Sequence, residues 1–135
     1  MHGHWSALRV LLAEDNLINQ KVAAGFLHNL GLKVDVAADG MKAVEAIAKT
    51  TYDLVLMDMQ MPGMDGLDAT RLIRAAQSGT EQPKLPIIAM TANAMQKDRD
   101  LCLEAGMDDY LIKPITPESL ASMLERWLPA PTHCD

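Results

Sequence analysis

Three carboxylates, a hydroxyl and an ammonium stand at matching places in this sequence. Glu14 and Asp15 follow the apolar run Arg9-Val10-Leu11-Leu12-Ala13, and Asp58 follows Leu54-Val55-Leu56-Met57. Thr91 follows Ile87-Ile88-Ala89-Met90, and Lys113 follows Tyr110-Leu111-Ile112. Carboxylates brought together repel and raise one another's pKa values unless a cation sits among them. An oxygen-only donor set suits Mg²⁺, which keeps several waters and takes a few carboxylates with phosphate oxygens. The lack of His or Cys nearby argues against zinc. A carboxylate can attack phosphorus to form an aspartyl phosphate. That transfer depends mainly on positioning and on cationic stabilisation of the equatorial oxygens. Lys113 offers a cation besides the metal, while the Thr91 hydroxyl and adjacent backbone N–H groups offer hydrogen bonds. No GxxxxGK[ST] loop follows any of the runs, so ATP is not the expected direct donor.

Each residue taken singly has a plainer reading. An Asp after a strand commonly forms a turn or caps a helix. Thr91 could cap the next helix, Lys113 could be a solvated charge, and Glu14-Asp15 could cap a helix starting near Asn16. What these readings leave unexplained is the coincidence of all five at the ends of four separate runs. Asp53, Asp65, Asp68, Asp98 and Asp100 have no such placement and are read as caps and surface.

The elements that must position these groups follow from periodicity. Runs one, three and four are apolar almost without a break, as in strands buried on both faces of a parallel sheet. A further run, Lys33-Val34-Asp35-Val36-Ala37, alternates more and reads as an edge strand. Between the runs lie helical patterns. Ile18, Val22, Phe26 and Leu30 recur every four residues before Gly31, which is placed as the residue after a helix C-cap. Met41 to Lys49 carries Val44, Ile47 and Ala48 on one face. Asp65 can cap a helix containing Leu67, Thr70, Leu72 and Ile73. Met95 to Ala105 ends at Gly106, and Thr116 or Pro117 opens a helix with an apolar stripe from Leu120 to Leu128, stopped by Pro129. Strand–helix alternation repeated five times predicts right-handed βαβ units in a doubly wound three-layer α/β sandwich. In such a sheet ligands bind outside the carboxyl ends of the strands, which is where the five polar residues fall.

With 135 residues, 49% hydrophobic and 22% charged, the chain has the size and composition of one soluble domain. A formal net charge of −6 with scattered basic residues argues against a nucleic-acid surface. The two cysteines, Cys102 and Cys134, suggest neither a disulfide framework nor a zinc site, and fit a reducing cytoplasm. No apolar stretch approaches membrane-spanning length, and no signal peptide is evident. Residues 1–8 are read as an N-terminal extension whose Met1-His2-Gly3-His4-Trp5-Ser6 resembles a start or a cloning remnant. Residues 9–128 are the domain and 129–135 a tail. Ser78 to Pro83 reads as a loop.

The strings Leu12-Ala13-Glu14-Asp15-Asn16, Leu56-Met57-Asp58-Met59-Gln60-Met61-Pro62-Gly63-Met64-Asp65-Gly66, Met90-Thr91-Ala92-Asn93-Ala94 and Lys113-Pro114 closely resemble the receiver domains of response regulators and hybrid sensor histidine kinases. The resemblance runs from about Arg9 to Leu128. It implies a flavodoxin-like, CheY-like sheet in the order 2-1-3-4-5 with five helices. It implies that Asp58 is the phospho-acceptor, taking its phosphoryl group from a phosphohistidine. Asp15 would bind Mg²⁺ (or Mn²⁺ in its place) directly, Glu14 through water, and Asp58 and the backbone carbonyl of Gln60 would complete the protein ligands. Thr91 would be the switch hydroxyl, Lys113 the phosphate-contacting lysine and Tyr110 the aromatic switch, with a cis bond between Lys113 and Pro114. Gln60 and Asn93, which flank the site, would tune the phosphoryl lifetime. The wording is most similar to receivers of hybrid histidine kinases, whose partners are histidine kinases or histidine phosphotransfer domains. The chain is therefore expected to be a piece of such a sensor kinase, with a stand-alone regulator as the alternative. Two rivals remain. An aspartyl-nucleophile phosphatase of the haloacid-dehalogenase type would carry a second Asp where Gln60 stands, and a pseudo-receiver would lack one or more of the polar residues that are all present here. Catalysis, on this reading, extends to self-phosphorylation and slow self-dephosphorylation.

Overall fold

The structure is a computed structural model that describes residues 8–59, 61, 64, 66–77, 85–92, 96–113 and 115–128. Strands β1 (Arg9–Ala13), β2 (Lys33–Ala37), β3 (Leu54–Asp58), β4 (Ile87–Thr91) and β5 (Asp109–Ile112) alternate with helices α1 (Leu17–Asn29), α2 (Gly40–Lys49), α3 (Gly66–Gln77), α4 (Gln96–Ala105) and α5 (Pro117–Trp127). All strand pairs are parallel, in the order β2-β1-β3-β4-β5. β3 is central and β2 lies at an edge, as the unbroken and alternating runs predict.

The two-residue period of the strands divides the core. Val10, Leu12, Leu54, Leu56, Ile88, Met90 and Leu111 pack with Ala23 and Leu27 of α1 and Leu120 and Leu124 of α5. Leu11, Val55, Met57, Ile87 and Ala89 pack on the opposite side with Ala43 of α2, Ala69 and Ile73 of α3 and Cys102 of α4. Truncating one of the central leucines, such as the fully buried Leu56, removes about 2–5 kcal/mol on the usual cost of a core cavity.

Local chemistry sets the helix ends. Asn16 and Asp39 accept hydrogen bonds from the backbone of Asn19 and Lys42 at the starts of α1 and α2. Thr116 and Ser119 form a reciprocal capping box at α5. After α1 and α4, Gly31 and Gly106 take φ of 89° and 107°, a region costly for any side chain. The proposed Asp65 cap and the Ser78–Pro83 loop lie outside the described residues.

The stripe read along α1 turns out differently. Ile18 and Val22 are 71% and 46% exposed, whereas Ala23 and Leu27 carry the helix onto the sheet. A row spaced every four residues drifts by about 40° per step around a 3.6-residue helix. Its later members, Phe26 and Leu30, therefore reach the core while its first two face outward. Leu72 of α3 is likewise exposed. β5 begins at Asp109, one residue before the apolar run, because Asp109 pairs with Ile88.

A nearly buried ion pair ties α3 to the α4–β5 turn. Arg74 Nη2 lies 2.7 Å from Asp108 Oδ2, Arg74 Nε donates to the Gly106 carbonyl at 2.8 Å, and the same Asp108 oxygen accepts from Ile87 N at 2.9 Å. Asp108→Ala removes the carboxylate that pairs with Arg74 and accepts from Ile87 N, and removing one member of a buried pair costs about 3 kcal/mol or more. The expected result is a clear fall in the urea midpoint with an unchanged slope; a midpoint like the wild type's would contradict this role.

Candidate phosphoryl and metal site

Strand register gathers the polar residues at one rim. β1 pairs with β3 up to Ala13↔Met57, so Glu14 and Asp58 emerge side by side. Each continues the alternation of its strand, Glu14 after Leu12 and Asp58 after Leu56. β3 pairs with β4 up to Asp58↔Met90, and β4 with β5 up to Thr91↔Ile112, which delivers Thr91 and Lys113 to the same rim. Backbone bonds fix these ends further. Glu14 N donates to the Ala37 carbonyl at 3.0 Å, Met59 N to Met90 at 3.0 Å and Lys113 N to Thr91 at 2.7 Å.

Glu14, Asp58 and Thr91 are buried, at 2%, 4% and 8% exposure, while Asp15 is open to solvent. Glu14, Asp15 and Asp58 each present a carboxylate oxygen within 4.8 Å of the others. The Lys113 ammonium bridges two of the three, 3.1 Å from Glu14 Oε1 and 3.2 Å from Asp58 Oδ2. Burial pushes the Lys113 pKa down, but the Glu14 hydrogen bond and the Asp58 charge outweigh it and hold the ammonium above its ordinary value. Glu14 is held in turn from α1: its Oε2 accepts from Asn16 N at 3.3 Å, and its carbonyl accepts from Gln20 Nε2 at 2.6 Å. Beside Glu14 and Lys113 opens a cavity of about 420 Å³, walled by apolar Val22, Ala23, Met90 and Ile115.

Of the residues singled out in the sequence, Glu14, Asp15, Asp58 and Lys113 come together as expected, with Thr91 tied to Lys113 through the backbone. Tyr110 sits on β5 opposite Ala89, half-buried against the α2–α3–α4 side of the core. Gln60, Asn93 and Pro114 lie outside the described residues. Two contributors escaped the sequence reading. Gly66, at the start of α3, lies so close to the Asp58 carbonyl that a Cβ there would collide with backbone. Its signal was present, a glycine eight residues after the key aspartate, but no spacing rule says what it approaches. The other is Arg99, whose guanidinium carbon lies 4.8 Å from the centre of the Tyr110 ring.

The family model for the response regulator receiver domain matches residues 10–125. The chain is a response-regulator receiver domain. It is 45% identical over 121 residues to the sensor protein GacS of Pseudomonas syringae pv. syringae, covering 90% of this chain and 13% of that protein. The chain thus spans only a small part of that curated relative. Its fold matches, with a TM-score of 0.81 and 47% identity, the receiver domain of a sensor histidine kinase from Pseudomonas aeruginosa PAO1, solved with a magnesium ion coordinated in the active site cleft; the match covers 90% of this chain and 98% of that one. A second match, with a TM-score of 0.85 and 29% identity, is to the co-crystal structure of the Saccharomyces cerevisiae histidine phosphotransfer protein Ypd1 with the receiver domain of the response regulator Ssk1, covering 94% and 90%. The receiver fold and the 2-1-3-4-5 strand order predicted from sequence are thereby established, together with resemblance to receivers of hybrid histidine kinases. Among the described residues, no helix is long and apolar enough to cross a membrane.

The pKa shift of Lys113 carries a sign. A cation whose folded pKa is raised contributes stability fully below its unfolded value and loses it as pH rises through the folded value. In metal-free buffer, Lys113→Met removes the ammonium that bridges the Glu14 and Asp58 carboxylates and is expected to be less stable than wild type at neutral pH. That gap narrows above the ordinary lysine value of 10.5. Urea unfolding of both proteins across this range checks it, and a gap independent of pH would contradict the bridge.

Proposed function

We propose that Asp58 accepts a phosphoryl group from a phosphohistidine in a Mg²⁺-dependent reaction and that the domain relays this state by changing conformation. The observation that carries the reading is the placement of Asp58: buried at the end of the central strand, 3.2 Å from the Lys113 ammonium and within one cation's reach of Glu14 and Asp15. In the transfer, a carboxylate oxygen of Asp58 forms a bond to phosphorus while the P–N bond to the donor imidazole breaks. The bond's electron pair leaves with the imidazole, which takes up a proton.

An oxygen-only cluster of three carboxylates fits Mg²⁺. Asp15 and Asp58 would hold it directly, Glu14 through water, with the carbonyl of Gln60 as a further ligand. Bound there, the ion supplies positive charge to the phosphoryl oxygens. Lys113 would exchange its contact with the Asp58 carboxylate for one with the phosphoryl group, and Thr91 would donate its hydroxyl. Tyr110 would then turn inward behind Thr91, altering the surface of α4, β5 and α5.

The donor is a protein, a histidine kinase or histidine phosphotransfer domain. The exposed Leu17, Ile18 and Val22 of α1, of which Val22 lines the cavity beside Glu14 and Lys113, support an apolar protein contact better than a small ionic donor. We further take residues 9–128 as the domain and place it within a cytoplasmic, hybrid sensor histidine kinase, in keeping with the relatives it resembles.

The intact mass after incubation with acetyl phosphate tests the acceptor. A gain of one phosphoryl group is expected with Mg²⁺, little without it, and none in Asp58→Ala. Failure to gain mass under any condition would make this a pseudo-receiver, and a gain that persists in the variant would assign the wrong aspartate.

A further inference from the structure

Arg99 on α4 and Tyr110 on β5 form a contact that the phosphoryl chemistry does not use. The guanidinium stands over the ring at 4.8 Å, within the range of cation–π attraction. Both residues are half-buried, so the attraction is less diluted by water than at an open surface. The Arg99 Nε is fully buried and, among the described residues, has no hydrogen-bond partner. A buried donor left unmade is costly, so the aromatic face is what recommends this position for the side chain. The backbone on the Tyr110 side is fixed, since Tyr110 N donates to Asp109 Oδ1 at 2.8 Å and the Asp109 Oδ2 receives Arg126 and Trp127 Nε1 from α5 at 2.9 and 3.0 Å. What lies on the ring is Arg99.

We propose that Arg99 is a positioning residue for Tyr110, its stacked guanidinium holding the ring where it stands and thereby setting how readily the ring turns toward Thr91 once Asp58 is phosphorylated. The inference rests on the phospho-acceptor reading above. A ring that moves fully inward leaves the guanidinium behind, so the stack opposes the phosphorylated conformation. Removing it makes that conformation easier to reach. Because conformational equilibria and binding are linked, a ligand that binds only the switched state, while that state is the minor one, then binds more tightly by the same factor.

Beryllium fluoride with Mg²⁺, a phosphoryl mimic, provides the probe. Its affinity is measured for wild type, Arg99→Gln, Arg99→Lys and Asp58→Asn. The chain has two tyrosines, so ring-labelled tyrosine gives two NMR signals, with Tyr52 as internal reference. Arg99→Gln is expected to shift the Tyr110 ring signal before any mimic is added and to tighten mimic binding about two- to fivefold, the factor that an exposed to half-buried cation–π contact represents. Arg99→Lys, which keeps a cation able to sit on the ring, should stay near wild type on both readouts, which a general loosening of the fold would not reproduce. An unmoved Tyr110 signal, or an affinity in Arg99→Gln equal to or weaker than wild type, overturns the proposal while leaving Asp58 as acceptor. Absence of mimic binding by the wild type itself overturns the acceptor reading, and this inference falls with it.

Discussion

The arrangement at the rim of this sheet depends on a single electrostatic problem: two buried carboxylates and a third at the surface share one short stretch of space. Taking an ionised carboxylate out of water is expensive, and like charges a few ångströms apart add to the cost. One ammonium, that of Lys113, bridges Glu14 and Asp58 and offsets part of it. It offsets only one of the three charges, the imbalance that the proposed divalent cation would answer.

The rest of the fold can be understood as holding that cluster against its own repulsion. The unbroken apolar strands give β3 a rigid position between β1 and β4, and their parallel register sets the polar ends within reach of one another. Gly66 lets α3 start directly against the Asp58 carbonyl. Asn16 and Gln20 hold Glu14 from α1, while the Arg74–Asp108 pair locks the opposite layer to the turn before β5. The mobile part of the proposed switch is correspondingly small, a ring and the cation on it, set beside a site whose backbone is pinned.

Much of this was legible in the sequence because strand ends are an unusually readable address. Continuous apolar runs mark buried parallel strands, and the residues just beyond them must share a rim whatever the helices do. Glu14, Asp15, Asp58 and Lys113 were placed in this way and came together. Helix faces were less legible. The every-four row of α1 looked like one core stripe, yet its first half turned to solvent, because helical drift and the small Ala23 decided which side meets the sheet. Contacts made by long polar side chains were not legible at all. Arg74 with Asp108, Asp109 with Trp127 and Arg99 over Tyr110 depend on distances across elements that no local pattern encodes, and Gly66 is informative only once its neighbour is known.

The central claim is that the three carboxylates are a divalent-cation site and not a set of solvated rim charges. Calorimetric titration of Mg²⁺ into the wild type and into Asp15→Asn, at one pH and ionic strength, tests it most directly. The account predicts saturable one-to-one binding to the wild type and at least a tenfold weaker interaction in the variant, about 1.4 kcal/mol or more of binding free energy. Equal binding by the two proteins, or none by the wild type, would contradict it.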